Sequence, residues 1–291
     1  MRPDLADRTD ALLGRLRSLG SVLVAFSGGA DSALVVASAV RALGAANVAA
    51  ATAVSPALPM AERGPAERFT AQLGVRHFWP HTDELSRDGY RANAGSRCYF
   101  CKAEMVDVLT PLATRHGLAH VATGTNADDA IAGFRPGIRA AYERGAVSPL
   151  RDAGLTKQDV RELSQLWGLP TWNKPAAACL SSRVAYGIEI TPARLARVER
   201  AEAGLRELFV AAGIEVTNLR VRDLGDTGRV EVDADQVPAV TALPDVLATV
   251  RAAGFDDAEV DTRGFRSGSM NDALRIHRRP DVAPAGASGT D

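Results

Sequence analysis

A glycine turn between an apolar run and a helical pattern is the feature that most constrains how this chain can fold. Residues 22–26 have the composition of a buried strand, and the residues from Ala33 onward have helical periodicity. Between them lies Ser27-Gly28-Gly29-Ala30-Asp31-Ser32. A helix N-terminus leaves backbone N–H groups unsatisfied, and glycines let an anion approach closely, so the turn predicts a phosphate site. A plain turn from strand to helix would need the two glycines but neither the serines nor the aspartate.

The turn differs from a Walker A loop because it contains no lysine. The string Ser-Gly-Gly-x-Asp-Ser resembles the PP-loop of ATP pyrophosphatases. That resemblance implies cleavage of ATP between its α and β phosphates, with pyrophosphate held by the loop and AMP left on a substrate oxygen. The residues expected to bind ATP or pyrophosphate are Ser27, Gly28, Gly29, Asp31, Ser32, Gly124 and Asn126.

Strand-like runs alternate with helical patterns in the first half of the chain, at residues 22–26, 48–54, 75–79 and 120–123. This alternation predicts an α/β fold with an N-terminal doubly wound parallel sheet. The resemblance to PP-loop ATP pyrophosphatases implies that the sheet is of their HUP-like type. A smaller C-terminal α+β domain is expected to follow. The predicted divisions are a PP-loop domain over 1–166, a connector over 167–191, a substrate-binding domain over 192–278 and a disordered tail over 279–291.

The C-terminal domain has its own predicted elements. A long helix is expected over residues 192–212, strands over 216–223, 229–233 and 258–262, and one further helix over 237–253. In the first half of the chain, the density of proline and glycine around Arg135-Pro136-Gly137 predicts a loop.

Composition and charge limit the classes of function. Hydrophobic residues make up 46% and charged residues 24% of the chain, as in ordinary globular enzymes, and no apolar stretch is long enough to span a bilayer. The net charge of -1 disfavours nucleic acid as a partner. The three cysteines are too few for a disulfide framework, and the first residues do not resemble a signal peptide, so we expect a cytoplasmic protein. We also expect it to form a homo-oligomer and to have no membrane partner.

The cysteines give the second chemical signal. Cys98 and Cys101 form a close pair flanked by Arg97 and Lys102, and Cys179 lies in the connector. Neighbouring cations stabilise thiolates, which bind metals or attack electrophiles. Three thiolates can hold a [4Fe-4S] cluster with one iron left open, whereas zinc would need a fourth ligand and no histidine has the spacing of a zinc finger. The alternative is three unrelated buried cysteines.

Several strings together resemble the LarE-type ATP-dependent sacrificial sulfur transferases, which take part in making the nickel-pincer nucleotide cofactor. The resemblance covers nearly the whole chain. Besides the PP-loop string, it rests on Arg97-Cys98-Tyr99-Phe100-Cys101-Lys102, Gly124-Thr125-Asn126-Ala127-Asp128-Asp129, Arg135-Pro136-Gly137, Lys174-Pro175-Ala176-Ala177-Ala178-Cys179-Leu180, Arg220-Val221-Arg222 and Arg266-Ser267-Gly268-Ser269-Met270-Asn271.

The resemblance implies a substrate, two cofactors and two alternative sulfur sources. ATP with Mg²⁺ would adenylylate a carboxylate of pyridinium-3,5-biscarboxylic acid mononucleotide, which would then become a thiocarboxylate. Cys179 occupies the family's sulfur position. In one branch of the family this cysteine gives up its own sulfur and becomes dehydroalanine, and in another three cysteines hold a [4Fe-4S] cluster that carries a spare sulfide. The presence of Cys98 and Cys101 favours the cluster branch.

Four residues are expected to bind the substrate: Ser182, Arg183, Arg220 and Arg222. Arg220 and Arg222 alternate on a predicted strand and so point to one face, where two guanidinium groups suit a phosphate or a carboxylate. Without the resemblance, this pair would indicate an exposed strand face, and Arg183 could form an ordinary salt bridge.

Two carboxylates follow the predicted strand end at Gly124. Asp128 and Asp129 can bind Mg²⁺ or a ribose hydroxyl there, or they can cap the start of a helix. Both roles stay open at this stage.

Two other functions use similar ingredients. One is a PP-loop enzyme that thiolates tRNA and carries a three-cysteine iron–sulfur cluster, which would need a basic surface. The other is a nucleotide-binding metal sensor without turnover.

Overall fold

The computed structural model describes residues 2–131, 135–175, 178–266, 268 and 270. Its helices are α1 Pro3–Leu19, α2 Ala30–Leu43, α3 Arg63–Gln72, α4 Asp88–Arg91, α5 Arg97–Arg115, α6 Ala127–Ile131, α7 Pro136–Glu143, α8 Pro149–Asp152, α9 Lys157–Leu166, α10 Pro192–Ala211, α11 Val237–Ala242 and α12 Val246–Ala252. Its strands are β1 Val22–Ala25, β2 Val48–Ala51, β3 Arg76–Phe78, β4 His120–Ala122, β5 Leu219–Asp223, β6 Thr227–Val232 and β7 Asp257–Val260. Short 3₁₀ helices cover Ala45–Asn47, Met60–Glu62, Glu84–Ser86 and Leu180–Arg183.

The first four strands form a parallel sheet in the order β3-β2-β1-β4. The chain moves outward from β1 through β2 to β3 and then returns to add β4 on the other side of β1. The carboxyl ends of β1 and β4 therefore flank the point where the strand order reverses, which is where open α/β sheets bind ligands. The predicted parallel α/β sheet is confirmed.

Helices cover both faces of this sheet because β1 is apolar and buried along its whole length. Val22 and Val24 belong to a hydrophobic cluster that includes residues of α1, α2 and α9, whereas Leu23 and Ala25 belong to another that includes residues of α5. Successive side chains of a strand point to opposite faces, so the two clusters lie on the two faces. The doubly wound arrangement is thus confirmed as well.

A smaller sheet follows in the order β5-β6-β7, with β5 and β6 antiparallel and β6 and β7 parallel. Residues of α10, α11 and α12 form a hydrophobic cluster with it, which confirms the predicted α+β character. The prediction of one helix over residues 237–253 is wrong. Leu243 is extended and separates α11 from α12, because the ring of the following Pro244 disfavours a helical conformation at this position.

The loop predicted at Arg135-Pro136-Gly137 is wrong in part, since α7 begins at Pro136. Proline suits the first position of a helix, where no N–H is needed for a hydrogen bond. Among the described residues, no helix combines the length and apolar character that crossing a bilayer would require.

The predicted connector contains the 3₁₀ helix Leu180–Arg183, which begins directly after Cys179. The domain boundaries remain predictions. The tail predicted over 279–291 lies outside the described residues, as do Ala176 and Ala177 of the string that leads to Cys179.

Candidate functional site

The glycine turn lies at the carboxyl end of β1 and leads into α2. Gly29 occupies the position before the first turn of α2, and its lack of a side chain leaves the helix without a side-chain cap. Gly28 has a φ of 71°, a conformation that glycine adopts without strain. The hydroxyl oxygens of Ser27 and Ser32 lie 3.2 Å apart across the turn. This combination of a helix N-terminus and two hydroxyl groups can bind a phosphate.

The turn after β4 packs directly against this helix N-terminus at Gly124. A Cβ atom on Gly124 would lie 2.7 Å from the backbone nitrogen of Ser32 and 3.0 Å from its Cα. Both contacts are with backbone, so a larger residue would force the two strand ends apart. Glycine at this position therefore lets the carboxyl ends of β1 and β4 meet.

Asn126 connects the two turns. Its Nδ2 donates to Oδ1 of Asp31 over 3.0 Å, and the second oxygen of that carboxylate contacts Nζ of Lys157. Asn126 Oδ1 also accepts from the backbone N–H of Asp129, while Asp129 Oδ2 accepts from the N–H of Asn126. These reciprocal bonds are those of a helix cap, so Asn126 caps α6 and orients Asp31 at the same time.

Asp128 and Asp129, the predicted Mg²⁺ ligands, have different surroundings. Asp128 accepts a 2.8 Å hydrogen bond from the backbone N–H of Lys157 at the start of α9. Asp129 lines a cavity beside the glycine turn, and its Oδ1 lies 3.6 Å from a guanidinium nitrogen of Arg135. Within the described ranges, no three His, Cys, Asp or Glu residues are grouped as metal ligands. Mg²⁺ is commonly held by one or two carboxylates together with phosphate oxygens, so the carboxylates of the cavity fit it.

This cavity has a volume of about 400 Å³. On one side it is lined by the glycine turn and by residues 123–125, which follow β4. On the other side it is lined by Cys101, Lys102, Ala178 and Cys179. The glycine turn and two of the three cysteines therefore line the same cavity.

The three cysteines differ in exposure. Cys98 and Cys101 lie on the first turns of α5; Cys98 and Cys179 are exposed, and Cys101 is partly buried. Burial, reinforced by the charges of Cys179 and Glu84, raises the pKa of Cys101 to about 12. At neutral pH, Cys101 in the metal-free protein is consequently a protonated thiol.

Arg97 joins the cysteine pair to the Cys179 turn. Its buried guanidinium donates to Asn93 Oδ1 over 2.6 Å and to the carbonyl of Ser181 over 2.8 Å. Burial alone would lower the pKa of Arg97, but the charges of Cys179 and Cys98 outweigh it and raise that pKa. One cation thus interacts with thiols from two distant parts of the sequence.

The turn around Cys179, residues 178–183, is held by hydrogen bonds that its own side chains donate to its backbone carbonyl groups. Arg183 donates to the carbonyl oxygens of Ala178 and Cys179 over 2.5 and 2.9 Å, and Ser182 Oγ donates to Cys179 over 2.8 Å. Arg183 is itself fixed by a buried ion pair with Glu202, whose N–O distance is 2.9 Å. Arg183 and Ser182 therefore position the cysteine.

Arg220 and Arg222 are 8% and 6% exposed, so the alternative of an exposed strand face is wrong. Arg222 pairs with Glu231 at 2.7 Å and donates to the carbonyl of Ser182. Burial and the nearby cation of Arg183 lower the pKa of Arg220 to about 10. The charged form of Arg220 is destabilised, and a bound anion would stabilise it. The two arginines adjoin the Cys179 turn rather than the glycine turn.

The sequence analysis did not predict the two lysines that contact the glycine turn. Lys157 contacts Asp31, as described above. Lys174 Nζ donates to the carbonyl of Gly28 over 3.0 Å and lies 2.5 Å from Glu62 Oε2. Lys174 belongs to a string that carries the family resemblance, but nothing in its local pattern indicates that it reaches residues so far away in the chain.

Comparison with known proteins finds relatives over most of the chain. A pyridinium-3,5-bisthiocarboxylic acid mononucleotide synthase of Lactiplantibacillus plantarum is 36% identical over 271 residues, covering 93% of this chain and 96% of the relative. An uncharacterized protein of Synechocystis is 42% identical over 259 residues, covering 88% and 94%. An uncharacterized protein of Methanocaldococcus jannaschii is 27% identical over 175 residues, covering 60% and 66%. No family model matches the chain.

We predict that Gly124→Ala weakens nucleotide binding. The added methyl group would collide with the backbone of Ser32, displacing the start of α2. Calorimetry should give at least a tenfold loss of affinity for MgATP, which corresponds to ~1.4 kcal/mol. Gly14→Ala, where a Cβ meets no atom within 4 Å, is the matched control and should bind as wild type. Equal affinities for the two variants would contradict the claim that the close contact of Gly124 with the Ser32 backbone shapes the nucleotide site.

We predict that the cysteines react with iodoacetamide in a fixed order in the metal-free protein. Cys98 and Cys179 are exposed and should be alkylated first at pH 7.5, whereas Cys101 should react more slowly because its raised pKa keeps it protonated. Peptide mass spectrometry over time gives the three rates. Equal rates for Cys98 and Cys101 would contradict the burial and the raised pKa of Cys101.

Proposed function

The chain belongs to the LarE-type sulfur transferase family, and we propose that it converts carboxylates of pyridinium-3,5-biscarboxylic acid mononucleotide into thiocarboxylates in an ATP-dependent reaction. The product would serve the synthesis of the nickel-pincer nucleotide cofactor. The observation that carries this proposal is the single cavity lined by the glycine turn and by Cys179. Such a cavity allows activation of a carboxylate and transfer of sulfur to it without release of the activated intermediate.

The first step would be adenylylation of the substrate. A carboxylate oxygen attacks the α phosphorus of ATP, and the bond from that phosphorus to the bridging oxygen of the β phosphate breaks. An acyl-adenylate and pyrophosphate result. The N-terminus of α2 and the hydroxyl groups of Ser27 and Ser32 would hold the departing pyrophosphate, since donors fixed in advance stabilise charge as it develops. Among the predicted Mg²⁺ ligands, we assign the metal to Asp129, whose side chain lines the cavity.

The second step would be sulfur transfer at Cys179. Its thiolate attacks the carbonyl carbon of the acyl-adenylate, AMP leaves, and a thioester forms. Removal of the Cα proton then breaks the Cβ–Sγ bond, so that the thiocarboxylate departs with the sulfur and dehydroalanine stays in the chain. The hydrogen bonds from Arg183 and Ser182 to the carbonyl of Cys179 would keep the cysteine oriented toward the cavity during the attack.

The other source of sulfur, which the presence of Cys98 and Cys101 favours, is a [4Fe-4S] cluster. Cys98, Cys101 and Cys179 would hold it, and three thiols are the ligand type that such a cluster takes. Cys98 and Cys179 interact electrostatically with the cation of Arg97, and the charges of Cys179 and Cys98 act in turn on Cys101. The cluster would supply a sulfide bound to its open iron. In the described residues these thiols do not form a group of metal ligands, and the residue roles above do not depend on the cluster.

The substrate would bind beside the Cys179 turn. Arg222 donates to the carbonyl of Ser182, and the pKa of Arg220 is lowered by burial and by the nearby cation of Arg183, so both arginines adjoin this turn. A mononucleotide with a phosphate and two carboxylates supplies several negative charges. We therefore assign Ser182, Arg183, Arg220 and Arg222 to substrate binding.

We predict that anaerobically purified protein, mixed with MgATP and the biscarboxylated pyridinium mononucleotide, forms AMP, pyrophosphate and a thiolated nucleotide. Chromatography of the nucleotides measures all three, and a reaction without the substrate is the control. Absence of substrate-dependent AMP would overturn the proposal. Intact mass and iron content identify the sulfur source: loss of H₂S from Cys179 indicates the sacrificial route, and retained iron with an unchanged mass indicates the cluster.

A further inference from the structure

The chain contains few lysines, and each lies at the glycine turn or at the cavity that this turn lines. Its sequence contains three lysines and 31 arginines. Lys102 lines the cavity beside Cys101, and Lys157 and Lys174 contact the glycine turn. The other 31 basic side chains of Lys and Arg type are arginines. Lysines placed for general solubility would not be expected to lie at the glycine turn and at the cavity that this turn lines.

We propose that Lys157 and Lys174 are polyphosphate-binding residues whose ammonium groups exchange partners when ATP binds. In the free protein Asp31 and Glu62 hold them, and in the complex they would bind oxygens of the β and γ phosphates. This inference rests on the proposed ATP-dependent function and adds to it two residues that lie outside the glycine turn.

Lys157 combines a fixed backbone with a side chain that is exposed and held by one ion pair. It is the first residue of α9, and the capping box of Thr156 and Asp159 together with the hydrogen bond to Asp128 holds its backbone. Its side chain is 41% exposed, and Nζ contacts the carboxylate of Asp31 inside the glycine turn. The ammonium can therefore move over a short distance while its point of attachment stays in place.

Lys174 reaches the turn from the predicted connector, 146 residues beyond Gly28. Its Nζ donates hydrogen bonds to the carbonyl oxygen of Gly28 over 3.0 Å and to Glu62 Oε2 over 2.5 Å. A Cβ atom on Gly28 would lie 3.6 Å from this nitrogen. The ammonium thus lies against the part of the turn where glycine leaves room for a phosphate.

The chemistry of lysine explains why an exchange is favoured. A carboxylate bears one negative charge, whereas the polyphosphate of ATP bears several, so an ammonium gains attraction by moving from one to the other. An ammonium is a compact charge with three donors that rotate freely, whereas a guanidinium requires a planar and paired geometry. From one backbone position, a lysine ammonium can therefore pair first with a carboxylate and then with a phosphate.

A purely structural role predicts something different. The pairs of Lys157 with Asp31 and of Lys174 with Glu62 would then only tie α9 and the connector to the turn. Removing either lysine would loosen the turn for every ligand, and the affinities for AMP and ATP would fall together.

The test compares ligands that have or lack the β and γ phosphates. Calorimetry measures binding of MgATP, magnesium pyrophosphate and AMP to wild type, Lys157→Ala and Lys174→Ala. Each variant should lose at least about tenfold in affinity for ATP and pyrophosphate, as expected for one hydrogen bond between charged groups, and keep its affinity for AMP. Arg229→Ala, which breaks a 2.5 Å ion pair with Glu259 on the smaller sheet, is the control and should change none of these affinities. Parallel losses for AMP and ATP, or no loss for ATP, would overturn the assignment.

A second measurement uses the unaltered protein. The sequence contains only three side-chain amines, and after treatment with an amine-reactive acetylating reagent peptide mass spectrometry reports the modification of each one. Magnesium pyrophosphate should protect Lys157 and Lys174, and AMP should not. Unchanged labelling in the presence of pyrophosphate would contradict the proposal. If wild type binds no ATP, the proposed function itself fails; if wild type binds ATP and the variants bind it equally well, only the role of the lysines fails.

Discussion

The rest of the site depends on the hydrogen bonds that the buried guanidinium of Arg97 donates. It donates to the Asn93 side chain and to the carbonyl of Ser181, so it joins the start of α5 to the Cys179 turn. An unpaired guanidinium is costly to bury, and here the two acceptors and the ring of Tyr186, whose centroid lies 5.4 Å from the guanidinium carbon, offset part of that cost. Cys98 and Cys179 come from parts of the chain that are far apart in sequence, and this shared cation links them.

A second constraint comes from the order of the strands. Because β4 returns beside β1, the turns that follow both strands open at the same edge of the sheet. Gly124 allows them to touch, and Asn126 fixes Asp31 between them. The glycine turn is thereby presented to the same cavity as Cys179. In the proposed reaction, an acyl-adenylate made at the turn would meet its sulfur nucleophile before water could hydrolyse it.

The sequence was sufficient for features that depend on local patterns. Apolar runs, helical periodicity and the glycine turn predict the parallel sheet and the position of the turn within it, and both agree with the structure. The break at Pro244 was missed because the apolar periodicity continues across it. The contact of Lys174 with Gly28 was missed for another reason, since it joins residues 146 positions apart and local patterns carry no information about such pairs. The burial of Arg220 likewise depends on tertiary packing and not on its own strand.

The central claim is that activation and sulfur transfer occur in one cavity but depend on different residues. Single-turnover analysis of Cys179→Ala tests it most directly, with AMP and thiolated nucleotide measured in the same reaction and with Cys179 absent as either donor or cluster ligand. The account predicts that AMP and pyrophosphate still form, while no thiolated nucleotide appears. Formation of the thiolated nucleotide by this variant at the wild-type level would contradict it.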